Sequence, residues 1–341
     1  MFSAVLGLFS QDLAVDLGTS NTRVRVRNSR ETADEPTVVT VQTDRGGRRT
    51  VTAVGREARP MLGRTPEDLT TVQPIRGGRV VDFEVCEALL VHLVRRAHGR
   101  SAWMRPRMVI AMPHRATDME VRAVRDSCES AGAREVKLVP RPIAAALGAD
   151  LPIHEPSGVL VVDVGGGATE ISILSLNGVV ASTVVDGGGE GMDDAVLHLL
   201  EHERSLFVGR PSAERLKIEL GTACDPDPDR TATIRGRCKL GGIPRAEQVS
   251  ALDVYRALTP SVDRIADAIR RMVDEAPPEI GADIVDQGVV LTGGGARLRN
   301  LDRALRERTG LPVVSADRPE HAVITGVSRI LSESALYEAV A

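Results

Sequence analysis

Aromatic residues are nearly absent from this chain: four Phe, two Tyr and one Trp among 341 residues, 2% of the total. A core must therefore be assembled from Val, Leu, Ile and Ala, and the place of each aromatic becomes informative. Lysine is scarcer still. Lys137, Lys217 and Lys239 are the only lysines among 43 basic residues; the arginine excess reads first as GC-rich coding bias and second as an adaptation for bidentate anion contacts. Cys86, Cys128, Cys224 and Cys238 show no C-x-x-C spacing and no neighbouring histidine pair, which argues against a zinc site or disulfide framework and for a reducing compartment. No uncharged apolar run approaches the roughly 18 to 20 residues that span a bilayer, so a transmembrane helix is excluded. Charge of one sign is lacking too: 43 basic against 47 acidic residues leave a net charge of -4. Nucleic acid is therefore not an expected partner, since that calls for a clustered basic face. Met1 to Gln11 has no basic n-region and is too short for a secretory signal, so the expected location is the cytoplasm.

What is present is globular in kind, with 42% hydrophobic and 26% charged residues and length enough for two domains. The informative feature is a long-range repeat. Leu13-Ala-Val-Asp-Leu-Gly-Thr-Ser-Asn-Thr22 and Leu160-Val-Val-Asp-Val-Gly-Gly-Gly-Ala-Thr169 coincide at five of ten positions, 147 residues apart. Alternating stretches follow both, Arg23 to Arg27 and Glu170 to Leu174. Apolar strand, glycine turn and alternating strand predict a β-hairpin in each place. One supersecondary unit repeated at this distance indicates two related halves, since a solenoid has a period of about 20 to 50 residues.

The chemistry of these hairpins is anion handling. Glycine lets a turn backbone approach a ligand, and successive turn N–H groups can cradle phosphate oxygens. Thr19, Ser20, Asn21 and Thr22 add side-chain donors in the first copy, and Thr169 adds one in the second. Asp16 and Asp163 repel phosphate, so an aspartate beside such a cradle suggests Mg²⁺ held through water. A third glycine cluster, Gly288-Val-Val-Leu-Thr-Gly-Gly-Gly-Ala296, precedes an expected helix over Leu298 to Leu305, with Leu298, Leu301 and Leu305 at helical spacing. A fourth, Asp186-Gly-Gly-Gly-Glu-Gly191, leads into an expected helix start at Met192-Asp-Asp-Ala195.

Two D-x-G hairpins plus a late T-G-G-G resemble the actin, Hsp70 and sugar-kinase superfamily. Within it, Asp12 to Thr22, Ala131-Gly-Ala-Arg-Glu-Val136, Val161 to Gly167, Ala213-Glu-Arg-Leu-Lys-Ile-Glu-Leu-Gly221 and Val290 to Ala296 resemble the bacterial actin family MreB, including its Mbl-type paralogues. The resemblance runs from about residue 9 to about residue 331. It implies a two-lobed α/β fold, actin-like and built on a duplicated ribonuclease-H-like core, with four subdomains and an interlobe cleft that holds ATP and Mg²⁺. It also implies that Gly18 to Thr22 surround the β- and γ-phosphates and that Gly165, Gly166, Gly167 and Thr169 form the second phosphate loop. Asp16 and Asp163 would organise Mg²⁺, with Gly189 among the nucleotide-binding residues. Glu214 and Lys217, on one helix face, match ribose and adenine contacts, and Gly293, Gly294 and Gly295 would lie beside the adenosine.

One departure from the family pattern stands out. Two consecutive glutamates precede the stretch that reads here Pro142-Ile-Ala-Ala-Ala-Leu-Gly148, and the second of them positions the attacking water. Here the pair is Pro140-Arg141. Arginine cannot accept a proton or a hydrogen bond, so the expectation is a chain that binds ATP and hydrolyses it poorly or not at all, Arg141 pairing instead with the γ-phosphate. Glu135 is the alternative carboxylate, and Thr169 a further candidate at the reacting end.

The family implies contact with the inner membrane face, through an N-terminal amphipathic segment or a short loop. Phe2, Val5, Leu6 and Phe9 fall at helical spacing. Trp103 and Met104 are bracketed by Arg100, Arg105 and Arg107, a pattern suited to headgroup depth. The expected organisation is subdomain IA at 1–32, 76–149 and 315–341, IB at 33–75, IIA at 150–182 and 247–314, and IIB at 183–246. The implied function is a nucleotide-dependent filament on the inner membrane, assembled from copies of itself and working with the cell-wall elongation machinery in cell shape. A non-polymerising nucleotide-sensing paralogue and a small-molecule kinase are the alternatives. An Hsp70-like chaperone is disfavoured because the sequence ends at Ala341 without a peptide-binding domain.

Overall fold

The structure, a computed structural model, describes residues 12–29, 32–98 and 105–340. The expected membrane-contact residues Phe2, Val5, Leu6, Phe9, Trp103 and Met104 lie outside the described residues. The chain divides into two compact units, one of residues up to Glu155 with Leu176–Val179 and His321–Ala341, the other of Pro156–Ser175 and Val180–Glu320.

In the first unit β1 (Leu13–Leu17) and β2 (Asn21–Val26) form a hairpin, and β3 (Thr32–Pro36) extends it. An inserted three-stranded sheet follows, of β4 (Val39–Thr43), β5 (Arg49–Val54) and β6 (Leu69–Val72) in the order β5-β4-β6. The two-residue strands β7 (Ile75–Arg76) and β8 (Arg79–Val80) lead into α1 (Phe83–His98). Then come β9 (Arg107–Met112), α2 (Asp118–Ser130), β10 (Glu135–Pro140) and α3 (Arg141–Gly148). Helix α2 starts on a capping box in which the Thr117 hydroxyl accepts from the Glu120 N–H and the Glu120 carboxylate accepts from the Thr117 N–H. The main sheet has the order β10-β9-β1-β2-β3, with β1, β9 and β10 mutually parallel and β1-β2-β3 antiparallel.

The second unit repeats that plan. β11 (Val159–Val164), β12 (Ala168–Ser175) and β13 (Gly178–Asp186) are followed by α4 (Gly188–His202), β14 (Leu206–Phe207) and α5 (Arg210–Leu220). β14 forms a small sheet with β15 (Thr231–Cys238) and β16 (Pro244–Ser250). Helix α6 (Ala251–Asp274) begins on a Ser250–Asp253 capping box, and the break expected at Ala276-Pro-Pro-Glu279 falls at residues 275–277, with Pro278 opening α7 (Pro278–Gln287). β17 (Val289–Thr292), α8 (Leu301–Thr309) and β18 (Val313–Ser315) complete it, giving the main-sheet order β13-β12-β11-β17-β18. Back in the first unit, α9 (Ala322–Ser332) and α10 (Ser334–Ala339) end the chain. Helices α3 and α9 touch backbone to backbone: a Cβ at Gly148 would fall 1.8 Å from the Ala322 carbonyl oxygen, and one at Gly326 would meet the Ala144 carbonyl oxygen as closely.

The duplication is reproduced in hairpin register. Leu13 pairs with Val26, Asp16 with Arg23 and Leu17 with Thr22. Moved by 147 residues these become Leu160 with Ile173, Asp163 with Glu170 and Val164 with Thr169, the pairs observed in the second hairpin. Both cores are aliphatic: Leu13, Leu89, Leu93, Met108 and Ile110 fill one, and Leu160, Ile171, Ile173, Leu291 and Ile269 the other. Each such side chain contributes about 1.5 to 3 kcal/mol on burial. Of the four described aromatics, Phe83 and Phe207 are exposed and Tyr255 and Tyr337 half-buried.

Several expected boundaries move. β3 pairs with β2, so residues 32–36 belong to the main sheet, and the insert begins later than residue 33. β13 likewise carries the second main sheet to Asp186, and β16 keeps the second small sheet intact to Ser250. Strand pairing, invisible in composition, decides these limits. Helix α4 begins inside the glycine cluster at Gly188, ahead of Met192. Helix α8 begins at Leu301, since a 3₁₀ turn at Gly294–Arg297 and a left-handed Asn300 (φ 59°) interrupt the Leu298 to Leu305 pattern.

Candidate functional site

The first hairpin loop is Gly18 to Asn21. Its shape is set by a buried hydroxyl chain in which Thr37 Oγ1 donates to the Gly18 carbonyl (2.7 Å) and lies 2.9 Å from Thr22 Oγ1. The Thr37 N–H bonds the Ser20 carbonyl at 2.9 Å, and the Gly78 N–H donates to Thr19 Oγ1 at 3.1 Å. Thr22 and Thr19 are thus engaged within the protein. Ser20 is exposed and Asn21 half-buried, which leaves them as the outward donors of this loop.

Asp16, at the end of β1, is buried and held between two arginines. Arg141 Nη1 donates to Asp16 Oδ1 at 2.9 Å, while Arg141 Nη2 donates to the Leu17 carbonyl at 2.9 Å. Arg23, its cross-strand partner, brings Nη1 to 3.5 Å from Asp16 Oδ2 and shares its Nε with Asp34 at 3.0 Å. Arg141 therefore lies on Asp16, in the same unit, rather than extending from the helix start. Glu135 is no substitute for it. It sits at the far end of β10, six residues or about 20 Å along the chain from Arg141, where it accepts the Tyr337 hydroxyl at 2.6 Å.

The second hairpin loop, Gly165 to Gly167, gathers the other two glycine clusters around itself. The Gly189 and Glu190 N–H groups at the start of α4 bond the Gly165 and Gly166 carbonyls at 2.9 and 2.7 Å. A Cβ at Gly188 would lie 2.4 Å from the Gly165 carbonyl oxygen, so only glycine admits this approach. Gly293 has φ +83°, and a Cβ there would meet Val164 O at 2.4 Å and Asp163 Oδ1 at 2.6 Å. Gly295 packs against Val164 as well, whereas Gly294 faces open space. Gly165, Gly166, Gly167, Gly189, Gly293 and Gly295 thus form one backbone-lined surface beside Asp163.

Lys217 on α5 donates to the Gly189 carbonyl at 2.8 Å and lies 2.7 Å from Asp193 Oδ1. Burial pushes the Asp193 carboxyl up from its ordinary value, the Lys217 ammonium opposing it. Lys217 is accordingly a brace between α5 and the glycine loop, and Glu214 lies one turn earlier on the same helix. Asp163 accepts the Thr292 hydroxyl at 3.1 Å, and its cross-strand partner is the buried Glu170. Thr169 Oγ1 is buried and has no hydrogen-bond partner among the described residues.

These details decide which hairpin suits a cation and phosphate. A buried hydroxyl without a partner costs about 1 to 3 kcal/mol, a cost that a phosphate oxygen or a metal-bound water at Thr169 would remove. Asp163 and Glu170, opposite each other on one face, suit a hydrated Mg²⁺. No group of three or more His, Cys, Asp or Glu converges among the described residues, so such an ion would keep much of its water. Asp16 does not fit the ion in this arrangement, because guanidinium groups take its oxygens. Arg23, Thr37, Gly78, Asp193 and Thr292 emerge as supporting residues that motif reading passed over. Arg23 alone carried a signal, since hairpin pairing places it opposite Asp16.

Comparison with known proteins agrees with this geometry. The family described as MreB/Mbl protein matches residues 10–339. The chain is 42% identical over 334 residues to the cell shape-determining protein MreB of Escherichia coli K12, covering 97% of this chain and 96% of that one. It is 37% identical over 324 residues to the cell shape-determining protein Mbl of Bacillus subtilis, covering 95% and 96%. Among solved structures, MreB5 of Spiroplasma citri bound to AMPPNP superposes with a TM-score of 0.87 at 26% identity, covering 96% of each chain. The same protein bound to ADP gives 0.89 at 27%, covering 96% of this chain and 97% of that one. Among the described residues no helix is long and apolar enough to cross a membrane.

Proposed function

Because the chain belongs to the MreB/Mbl family, we propose that it is a nucleotide-dependent, actin-like cytoskeletal protein that assembles with copies of itself and contributes to cell shape. The observation that carries the nucleotide reading is the convergence of three glycine clusters on Asp163 beside the unsatisfied Thr169 hydroxyl. A polyphosphate oxygen would supply the partner that the Thr169 hydroxyl lacks among the described residues, and Mg²⁺, when bound, supplies positive charge beside Asp163. ATP is the nucleotide proposed, with the late glycines Gly293 to Gly295 and the Glu214–Lys217 face on its nucleoside side. Light scattering and electron microscopy of the purified protein with and without ATP test this. Filaments that require nucleotide support it; failure to assemble while nucleotide binds favours the non-polymerising paralogue.

Hydrolysis is expected to be slow. Turning a water into a nucleophile needs an acceptor, and Arg141 has none to offer and is committed to Asp16. Phosphate release during assembly, compared between wild type and Arg141→Glu, checks this; a brisk wild-type rate contradicts it.

Membrane association is the third part of the proposal. β1 and β9 are parallel neighbours, Leu13 opposite Met108, so the chain enters both strands at one end of the sheet. Arg107 clamps Asp12 there, its Nε and Nη2 donating to Asp12 Oδ2 at 3.0 and 2.8 Å. The segments carrying Phe2 to Phe9 and Trp103–Met104 both connect to this end. Each buried aromatic contributes only about 1.5 to 3 kcal/mol, so a polymer presenting many copies binds lipid far better than a monomer. Liposome co-sedimentation of Trp103→Ser and of a chain lacking residues 2–9 is the test, unchanged pelleting in both being the contrary result.

A further inference from the structure

We infer that Arg141 is a built-in counter-cation for Asp16, so that the first loop accepts polyphosphate without a metal. This deepens the nucleotide reading and rests on it.

The first observation is charge. Both oxygens of the buried Asp16 carboxylate are met by guanidinium groups, from Arg141 at 2.9 Å and Arg23 at 3.5 Å. Counting Asp34, which shares Arg23, the group of two carboxylates and two guanidinium ions is neutral. A carboxylate left alone beside a phosphate cradle repels the ligand, and a divalent cation is one remedy. A fixed guanidinium is another, and it stays protonated at any working pH.

The second observation is placement. Arg141 is the first residue of α3, where the helix dipole disfavours a cation. Its position is held by Asp16, by the Leu17 carbonyl, and by the backbone contact of α3 with α9 through Gly148 and Gly326. The side chain also bonds the last residue of β1, directly before the loop. It thereby ties the loop entry to α3 as a coordinated metal would, but with a group that chelators cannot remove.

The third observation is the contrast with the duplicate. At the position equivalent to Arg23 the second hairpin carries Glu170, opposite Asp163, with Thr169 Oγ1 unsatisfied beside it. The first hairpin carries its cations in covalent form, as Arg23 and Arg141.

The test is titration of a fluorescent ATP analogue into the full chain, with Mg²⁺ and with EDTA. For wild type the affinity is expected to fall by no more than about 10-fold on chelation. For Arg141→Gln the metal-free affinity is expected to fall by about 100-fold or more, because Asp16 then stands uncompensated. The double variant Asp16→Asn/Arg141→Gln removes both charges and is expected to restore metal-free binding. A folding defect lowers binding in both buffers alike and does not move this ratio. Wild-type binding that collapses on chelation as far as Arg141→Gln overturns the inference and leaves the nucleotide reading intact. Absence of binding in both buffers overturns both.

Discussion

The two hairpins share one backbone plan and differ in what surrounds the same aspartate. Asp16 is enclosed by Arg141 and Arg23, and its loop is tied internally by Thr22, Thr37 and Thr19. Asp163 meets Thr292 and lies opposite Glu170, in a loop overlaid by two further glycine clusters with one hydroxyl unsatisfied. In the first hairpin the aspartate is compensated by the protein's own arginines; in the second a buried hydroxyl is without a partner among the described residues. Duplication conserves the framework, and the side chains around it divide the work.

The largest effect is expected where the second loop depends on close backbone approach. Gly293→Ala forces a Cβ to 2.4 Å from the Val164 carbonyl oxygen at a φ of +83°. Chemical denaturation should show a loss of about 2 to 4 kcal/mol, while Gly294→Ala, with nothing within 4 Å, changes stability by less than about 0.5 kcal/mol. Equal losses would mean that the glycine surface is not packed as described.

A sharper comparison uses the equivalent threonines. Thr22→Val breaks the bonded hydroxyl chain to Thr37 and should cost about 1 to 2 kcal/mol of stability in the ligand-free protein. Thr169→Val removes an unsatisfied hydroxyl and should leave that stability unchanged or slightly raised, while weakening nucleotide binding. Thermal melts with and without ATP read both.

The smallest effect lies outside the loops and serves as their control. Burial, then the hydrogen bond to Glu135, push the Tyr337 phenol from its ordinary 10.0 up to about 12. A raised folded value means that this contribution is fully present below pH 10 and is lost as the pH climbs through about 12. Tyr337→Phe should flatten that alkaline loss without altering nucleotide affinity, as a pH series of melts will show.

Much of this was legible in the chain. The five coincident positions at an offset of 147 define both hairpins, and strand alternation puts Arg23 opposite Asp16. The Arg141–Asp16 pair was not legible. It joins residues 125 apart, and only the order β10-β9-β1 brings them together. The start of α4 escaped for a related reason. Glycine disfavours helix, but bonds from Gly189 and Glu190 to the second loop stabilise a helical turn that local propensity speaks against. Asn300 broke a leucine pattern by adopting a left-handed conformation that hydrophobic spacing does not record.

The claim that the hairpins divide the work is tested most directly by electron paramagnetic resonance of Mn²⁺ bound with ATP to wild type, Asp16→Asn and Asp163→Asn. Asp163→Asn is predicted to weaken Mn²⁺ retention by about 10-fold or more and to change the signal, while Asp16→Asn leaves both close to wild type. Equal losses in the two variants would contradict the account.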